Sequence, residues 1–252
     1  MPEATSWGRY LGRFHEDKPG ITADVLGHAS DRGVGPYGWV VEAVHDGPVV
    51  DLACGNGPLA PELAARDWVG VDLSPAELSA ARRHGAGRVA LADVAFLPLA
   101  DGSAGSVVCS MALMLVQPLD RVLSEVARVL RPGGVLVALM PSRHPLTPSD
   151  ALRYARLLVA LRKRRLVYPN DRALDDVSGL LGRHGLRLVD DQRRRFGCLI
   201  TSPAVGVMCV RSLYLPDVRP TRLAAGERVS RHWVGKELGL PLRRLVAVRD
   251  SP

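Results

Sequence analysis

Residues 49–59 constrain the fold of this chain more strongly than any other stretch, because they join a short apolar segment to a glycine-rich turn. Residues 49–52 have the composition of a buried strand, Gly55-Asn56-Gly57 predicts a turn, and residues 59–65 have helical composition. Glycine has no Cβ, and the amides of such a turn point outward. A strand–turn–helix unit of this kind therefore lets a ligand approach bare backbone.

Two acidic residues stand at matching places on neighbouring predicted strands. Asp51 lies in the strand before the turn, and a second predicted strand, residues 68–71, is followed by Asp72. Open α/β sheets bind ligands beyond the carboxyl ends of their strands, so we expect both carboxylates at one ligand-binding edge. Dinucleotide-binding proteins also carry an acid at the place of Asp72, so Asp72 alone does not exclude NAD.

Four motifs follow each other in a recognisable order between residues 47 and 142. They are Asp51-Leu-Ala-Cys-Gly-Asn-Gly57, Gly70-Val-Asp-Leu-Ser74, Ala92-Asp93 and the segment 125–134, which ends in Arg-Pro-Gly-Gly. In order and spacing they resemble the motifs of class I S-adenosylmethionine-dependent methyltransferases, in particular the ubiquinone/menaquinone-type and small-molecule branch. Position 59 departs from the fuller pattern, since Leu59 stands where a third glycine often occurs.

The resemblance implies a fold and a division of the chain. It implies an α/β, Rossmann-like sheet of seven mostly parallel strands in the order 3-2-1-4-5-7-6, with helical cap insertions. The chain of 252 residues is then one domain. We expect residues 1–47 to form a helical lid, residues 48–142 the cofactor-binding core, and residues 143–169 and 201–239 insertions over the substrate site.

The resemblance also implies S-adenosyl-L-methionine as cofactor and S-adenosyl-L-homocysteine as product. Backbone around Ala53, Gly55 and Gly57 would hold the methionine end, with Asp51 near its ammonium group. Asp72 would accept hydrogen bonds from the ribose. The alternative, a helix cap, is weaker, because Ser74 can already cap this helix with Glu77 as its partner. Asp93 would meet the adenine amino group, with Val94 on the ring, or else cap the next turn. The full predicted set is Asp51, Ala53, Gly55, Asn56, Gly57, Asp72, Leu73, Asp93, Val94 and Ser110.

Methyl transfer to a hydroxyl, a protonated amine or a carbon acid needs a group that removes a proton. The candidates are His144, at the exit of a fifth predicted strand over residues 135–140, and His15 and Tyr10 in the predicted lid. Each has a plain surface or packing role as its alternative. Histidine is absent near Met114, where relatives often carry one, so no acid–base role is transferred to that place.

Charge and cysteine content narrow the choice of partners. The formal charge is +7, but only Lys18, Lys163 and Lys236 are lysines, so we interpret the arginine excess as coding bias rather than nucleic-acid binding. The arginine clusters 162–165 and 193–195 keep the alternative open. Four scattered cysteines without CxxC spacing predict buried, reduced thiols and no metal site. The sequence shows no secretory signal and no membrane-spanning run, which predicts a cytoplasmic protein without a membrane partner.

The leading hypothesis is therefore a methyltransferase that acts at O, N or C of a small molecule, in specialised natural-product metabolism. The alternatives are a methyltransferase for RNA or protein, and a cofactor-binding homologue without catalysis. A homodimer is left open by the sequence.

Overall fold

The computed structural model describes residues 6–250, and one sheet of eight strands lies at their centre. The strand order is β1-β7-β8-β6-β5-β2-β3-β4. Neighbours from β4 to β6 pair in parallel, whereas the β6–β8, β8–β7 and β7–β1 pairs are antiparallel. The strands are β1 (Ala29–Ser30), β2 (Val49–Leu52), β3 (Trp68–Asp72), β4 (Val89–Leu91), β5 (Ala104–Ser110), β6 (Leu130–Pro141), β7 (Leu186–Leu199) and β8 (Glu237–Arg249).

The predicted fold class is confirmed, but the number of strands, predicted as seven in the order 3-2-1-4-5-7-6, is one too few. The described chain has eight strands, because Ala29–Ser30 forms an additional two-residue edge strand against Gly197 and Cys198. This strand takes the first number and shifts every later one. The other seven lie side by side as β4-β3-β2-β5-β6-β8-β7. A two-residue strand is too short to show an alternation of apolar and polar residues, so no sequence pattern predicts it.

Ten helices surround the sheet in the part of the chain that the structure describes. None of them is long and apolar enough to cross a membrane. They are α1 (Ser6–Asp17), α2 (Ile21–Gly27), α3 (Pro36–Val41), α4 (Pro75–Arg83), α5 (Leu119–Val129), α6 (Pro148–Leu161), α7 (Asp171–Asp175), α8 (Val177–Gly182), α9 (Pro203–Arg211) and α10 (Pro220–Arg231).

Alternate residues of the central strands feed two separate apolar cores. Val107 and Leu136 belong to the core that contains α5 and α8, whereas Val108 and Val137 belong to the core that contains α3 and α9. Since successive side chains of a strand point to opposite faces, a strand buried on both sides reads as a continuous apolar run. All four cysteines are buried and free, as the sequence predicts.

The predicted helix at residues 59–65 is wrong. These residues form consecutive turns, with hydrogen bonds such as Ala60 N to Gly57 O (3.1 Å) and Ala64 N to Pro61 O (3.3 Å). Pro61 disfavours the helical conformation of the preceding residue, Ala60, and so interrupts a regular helix here. Composition alone overlooked that interruption.

The sequence predicts a helix over residues 151–166 with Ser149 as its cap, but helix α6 begins and ends earlier and has a different cap. Thr147, rather than Ser149, caps the helix, and it forms a capping box with Asp150. Asp150 is fully buried and also accepts hydrogen bonds from Arg195 Nε (2.7 Å) and from Gly239 N (2.8 Å). This carboxylate thereby joins α6 to strands β7 and β8.

Candidate active site

The glycine turn, residues 53–57, follows β2 with an unusual backbone. Ala53 has φ +51°, Gly55 has φ +56° and Gly57 has φ +74°. The value for Ala53 is uncommon for a residue with a Cβ, and such conformations concentrate at functional sites. At Gly57 a Cβ would lie 2.9 Å from that of Ala86, so only glycine fits there. The sequence needs its glycines here both for the turn and for close packing.

Two of the predicted cofactor-binding residues have buried polar atoms that are unsatisfied within the described chain. Asp51 is 1% exposed, and its Oδ2 accepts no hydrogen bond from residues 6–250. The buried Oγ of Ser110, at the end of neighbouring β5, also lacks a partner among these residues. Burial raises the pKa of Asp51 well above its usual value, the nearby Trp68 indole offsets part of this increase, and the charge of Asp72 adds to it. A cationic or hydroxyl-bearing ligand would satisfy both atoms.

We expect Asp51→Asn to stabilise the ligand-free protein at neutral pH. Because the folded-state pKa is raised, the native state binds more protons than the unfolded state above about pH 4, and stability falls as the pH rises toward the folded pKa. The amide cannot ionise, so the cost disappears, with a gain in Tm of roughly 2–4 °C per kcal/mol removed. Thermal melts at pH 4.5 and pH 7.5 should diverge for the parent and converge for the variant. A lower Tm for the variant at pH 7.5 would contradict this account.

Asp72 stands at the end of β3 and connects the two strand ends directly. Its Oδ2 accepts from Gly55 N and its Oδ1 from Ser74 N, both at 2.8 Å. Burial raises the pKa of Asp72, and these two amides offset part of the increase. The Ser74 side chain does cap α4 by accepting from Glu77 N (3.3 Å), but its own amide is taken by Asp72 rather than by Glu77. The expected capping box is therefore wrong in its second half.

The third strand end carries Asp93, which the structure places in a local turn. Its Oδ1 accepts from Ala95 N at 2.9 Å, which is the turn-capping alternative, and the residue remains exposed. Val94 is half-buried beside it. Leu73, at the end of β3, has 66% of its surface exposed. An apolar residue held in the open next to acidic strand ends suits a flat ring that packs on it.

A buried carboxylate that the sequence interpretation treated only as a cap ties α1 to the glycine turn. Glu77 Oε1 lies 2.8 Å from His15 Nδ1, and its Oε2 accepts from Gly20 N at 3.0 Å. A Cβ on Gly20, which has φ +80°, would lie 2.6 Å from Asn56 Nδ2. Residues 15–20 are therefore packed directly on the glycine turn. An acid in the first turn of a helix was the available signal, but its partners lie 57 and 62 positions away.

The predicted proton acceptors lie in different surroundings. Tyr10 accepts from Leu215 N at 2.8 Å, and burial raises the pKa of its hydroxyl. His15 is held by Glu77, as described above. His144 lies in an exposed loop after β6, where the Ser142 hydroxyl donates to its carbonyl at 2.7 Å. The structure therefore does not bring these three residues together.

An apolar cavity of about 560 Å³ lies next to the glycine turn. Met111 and Met114, which follow β5, form one wall, and Tyr168 and Tyr214 lie on it as well. Burial raises the pKa of Tyr214 to about 12. No predicted cofactor-binding residue lines the cavity. Two lining residues are close to that site in sequence, however: Met111 directly follows Ser110, and Thr22 lies two residues after Gly20. The cavity and the glycine turn are thus adjacent sites. Met111 and Met114 belong to an apolar run in the sequence, whereas no sequence pattern predicts that Tyr168 and Tyr214 line a cavity.

A family model described as a methyltransferase domain matches residues 50–138, which contain β2 to β5, most of β6, and the glycine turn. The matched residues carry Asp51, Asp72 and Asp93 at three strand ends, as described above. Residues 50–138 of this chain therefore match a methyltransferase domain. The residues before 50, the cavity-lining residues after α6, and helices α9 and α10 lie outside this match.

Several curated methyltransferases are similar to part of this chain, among them the following two. A demethylmenaquinone methyltransferase from Beutenbergia cavernae is 39% identical over 107 residues, which are 41% of this chain and 45% of that protein. The O-methyltransferase cnsE from Penicillium expansum is 28% identical over 193 residues, 72% of this chain and 66% of that protein. The chain therefore spans only about half to two thirds of the length of these relatives.

Solved structures resemble the methyltransferase domain together with its helical cover. The geranyl diphosphate C-methyltransferase from Streptomyces coelicolor A3(2), in complex with S-adenosyl-L-homocysteine, superposes with a TM-score of 0.58 over 99% of both chains. Its sequence is 13% identical, so the likeness concerns the fold.

Proposed function

We propose that this protein transfers the methyl group of S-adenosyl-L-methionine to O, N or C of a small apolar molecule. One observation supports the proposal most: the acidic strand ends around the glycine turn lie beside an apolar cavity of about 560 Å³. The first site offers what a charged nucleoside requires, and the second offers space for an acceptor of limited size. Segments 20–22 and 110–111 belong to both sites.

The residues at the strand ends fit the proposed cofactor. Asp51 has a buried oxygen without a partner in the described chain, which an ammonium group would neutralise. The positive-φ backbone at Ala53, Gly55 and Gly57 leaves room for a ligand against the main chain. Asp72 would hold the ribose, and Asp93 and Val94 the adenine, while Leu73 packs on the ring. Asn56 and Ser110 complete the proposed set.

When bound, S-adenosyl-L-methionine supplies a methyl group on an already activated sulfonium. The main task of the protein is then alignment, which contributes roughly 7–11 kcal/mol in well-oriented reactions. Met111, Met114 and Tyr214 would position the acceptor and exclude water from the cavity. Of the three predicted proton acceptors, His144 alone is a lining residue of this cavity, and we keep it in that role. His15 and Tyr10 would act by holding the lid closed.

The apolar lining of the cavity favours a small acceptor over RNA or protein. RNA requires a basic groove, and the described arginines of cluster 193–195 are largely engaged: Arg195 pairs with Asp150, Arg193 with Asp191, and Arg194 lies over Trp39. The O-methyltransferase cnsE and the C-methyltransferase of Streptomyces coelicolor support a small-molecule acceptor in specialised metabolism. The division into lid, core and cap insertions, the cytoplasmic location and a homodimer remain part of the proposal. The first five residues of the lid lie outside the described residues.

Titration calorimetry with S-adenosyl-L-homocysteine tests the cofactor, and a screen of small acceptors for a mass increase of one methyl group tests the reaction. We expect one binding site per chain and methylation of at least one apolar acceptor. Absence of nucleoside binding would overturn the whole proposal. Binding without any turnover across hydroxyl, amine and carbon-acid acceptors would favour the non-catalytic homologue, and methylation of RNA alone would favour the polymer alternative.

A further inference from the structure

The rim of the cavity differs chemically from its interior. Inside, the wall is formed by methionine, leucine and tryptophan side chains, with Met140, Leu157 and Trp233 among them. At the rim stand Arg143, after β6, and Arg165, after α6, and both are exposed. An apolar interior with a cationic rim is suited to a molecule that has an apolar part and an anionic group.

The rim arginines differ from the deeper ones in what they contact. Arg243 donates Nε and Nη2 to the two oxygens of Asp191, each at 2.8 Å, and Arg193 lies 3.3 Å from the same carboxylate. Within residues 6–250, in contrast, Arg143 and Arg165 make no hydrogen bond, ion pair or cation–π contact. Their charge is therefore not compensated by the described chain.

Acidic residues on the same rim do not pair with Arg143 or Arg165. Asp171 and Asp175 also line the cavity, and Asp171 Oδ2 accepts from Tyr168 N at 3.2 Å. Four arginines line the cavity against these two aspartates. The run 162–165 adds further positive charge beside the rim, with only Lys163 paired among the described residues, to Asp217 at 3.7 Å.

We propose that the acceptor is an amphipathic anion: an apolar body that fills the cavity, with one carboxylate or phosphate group held by Arg143 and Arg165 at the rim. Arginine suits both groups, because its guanidinium donates two parallel hydrogen bonds to a pair of oxygens. A neutral acceptor of the same shape would leave the rim charge unused. This inference deepens the proposed function and rests on it for the identity of the bound molecule as acceptor.

Two fluorescent probes that differ mainly in one anionic group test the proposal. They are 1-anilinonaphthalene-8-sulfonate and its neutral counterpart N-phenyl-1-naphthylamine, titrated into the full chain at low salt. We expect the sulfonate to bind at least about threefold more tightly, and Arg143→Gln/Arg165→Gln to remove that advantage while leaving the neutral probe unchanged. Arg164→Gln is the matched control, since Arg164 is exposed in the same run but does not line the cavity.

Competition then identifies the anionic group and separates the alternatives. Octanoate and octyl phosphate, but not octanol, should displace the sulfonate probe, and the stronger competitor indicates carboxylate or phosphate. Equal binding of both probes, or equal losses in Arg164→Gln and in the double variant, would overturn the proposal. Displacement by heparin alone would indicate a polyanion surface instead. None of these titrations needs S-adenosyl-L-methionine, so their failure is distinguishable from failed nucleoside binding in calorimetry.

Discussion

Replacing Asp150 by alanine should lower the free energy of unfolding by about 3–5 kcal/mol. The side chain is 0% exposed and satisfies donors from α6, β7 and β8: Thr147, Arg195 and Gly239. Alanine would leave the Gly239 amide without its acceptor and Arg195 with Glu237 as its remaining acidic partner. Breaking a buried pair costs more than the pair contributes, because the remaining groups stay desolvated. Urea unfolding at pH 7, followed by circular dichroism, measures the change.

Asp101→Ala is the control for this experiment. Asp101 also pairs with an arginine, Arg128, at 2.6 Å, but its side chain is 81% exposed. Exposed pairs contribute at most about 1 kcal/mol, so this variant should stay close to the parent. Similar losses in both variants would show that burial of Asp150 is not what gives its interactions their strength.

The lowered pKa of Asp150 predicts how the stability of the protein responds to acid. Burial opposes ionisation of Asp150, but hydrogen bonds from Arg195, Thr147 and Gly239 outweigh it and hold its pKa well below the usual value. The unfolded chain therefore takes up this proton first, and the stabilisation is fully present above about pH 4 and is lost as the pH falls toward the folded pKa. Asp150→Asn should show less of this loss in the same pH window.

Asp72→Ala should weaken binding of S-adenosyl-L-homocysteine by more than about tenfold, which corresponds to about 1.4 kcal/mol. The substitution removes the proposed acceptor for the ribose hydroxyls. It also frees the amides of Gly55 and Ser74, which the carboxylate holds at 2.8 Å, and so loosens the glycine turn. Titration calorimetry on the folded variant measures the affinity.

Asp67→Ala is the matched control for Asp72→Ala, because Asp67 directly precedes β3 and so stands at the opposite end of the same strand. It is exposed there and pairs with Arg88 at the surface. Its replacement should leave the affinity within a factor of two or so. Unchanged affinity in Asp72→Ala would remove the ribose assignment, while a loss in both variants would point to a general effect on the sheet.

The sequence predicted the strands of the core well, because they are signalled by local patterns. Val49–Leu52 and Trp68–Asp72 are short β-branched or apolar runs that end in turn residues, and the structure has strands there. Residues 59–65 failed, since helical composition did not reveal the interruption at Pro61. The start of helix α6 was predicted three residues too late, because Thr147 and Ser149 are both good caps. The choice between them depends on Asp150 and its distant partners.

The candidate site could be predicted only where it is built from consecutive residues. The glycine turn and Asp72 follow directly from their strands. Glu77, in contrast, is bound to His15 and Gly20, and Tyr214 reaches the cavity from the segment after α9. Such contacts depend on how the helices before β2 and after β6 pack against the rest of the protein. No residue spacing in the sequence predicts them.

The position of residues 20–22 has a consequence for turnover. Gly20 is packed on Asn56 of the glycine turn, and Thr22 faces the acceptor cavity two residues later. One stretch of backbone thus covers both compartments, so under the proposed function the two ligands would not exchange independently. Departure of the spent nucleoside would require the same opening that admits the next acceptor, and this opening, rather than the chemical step, would then limit the rate of the cycle.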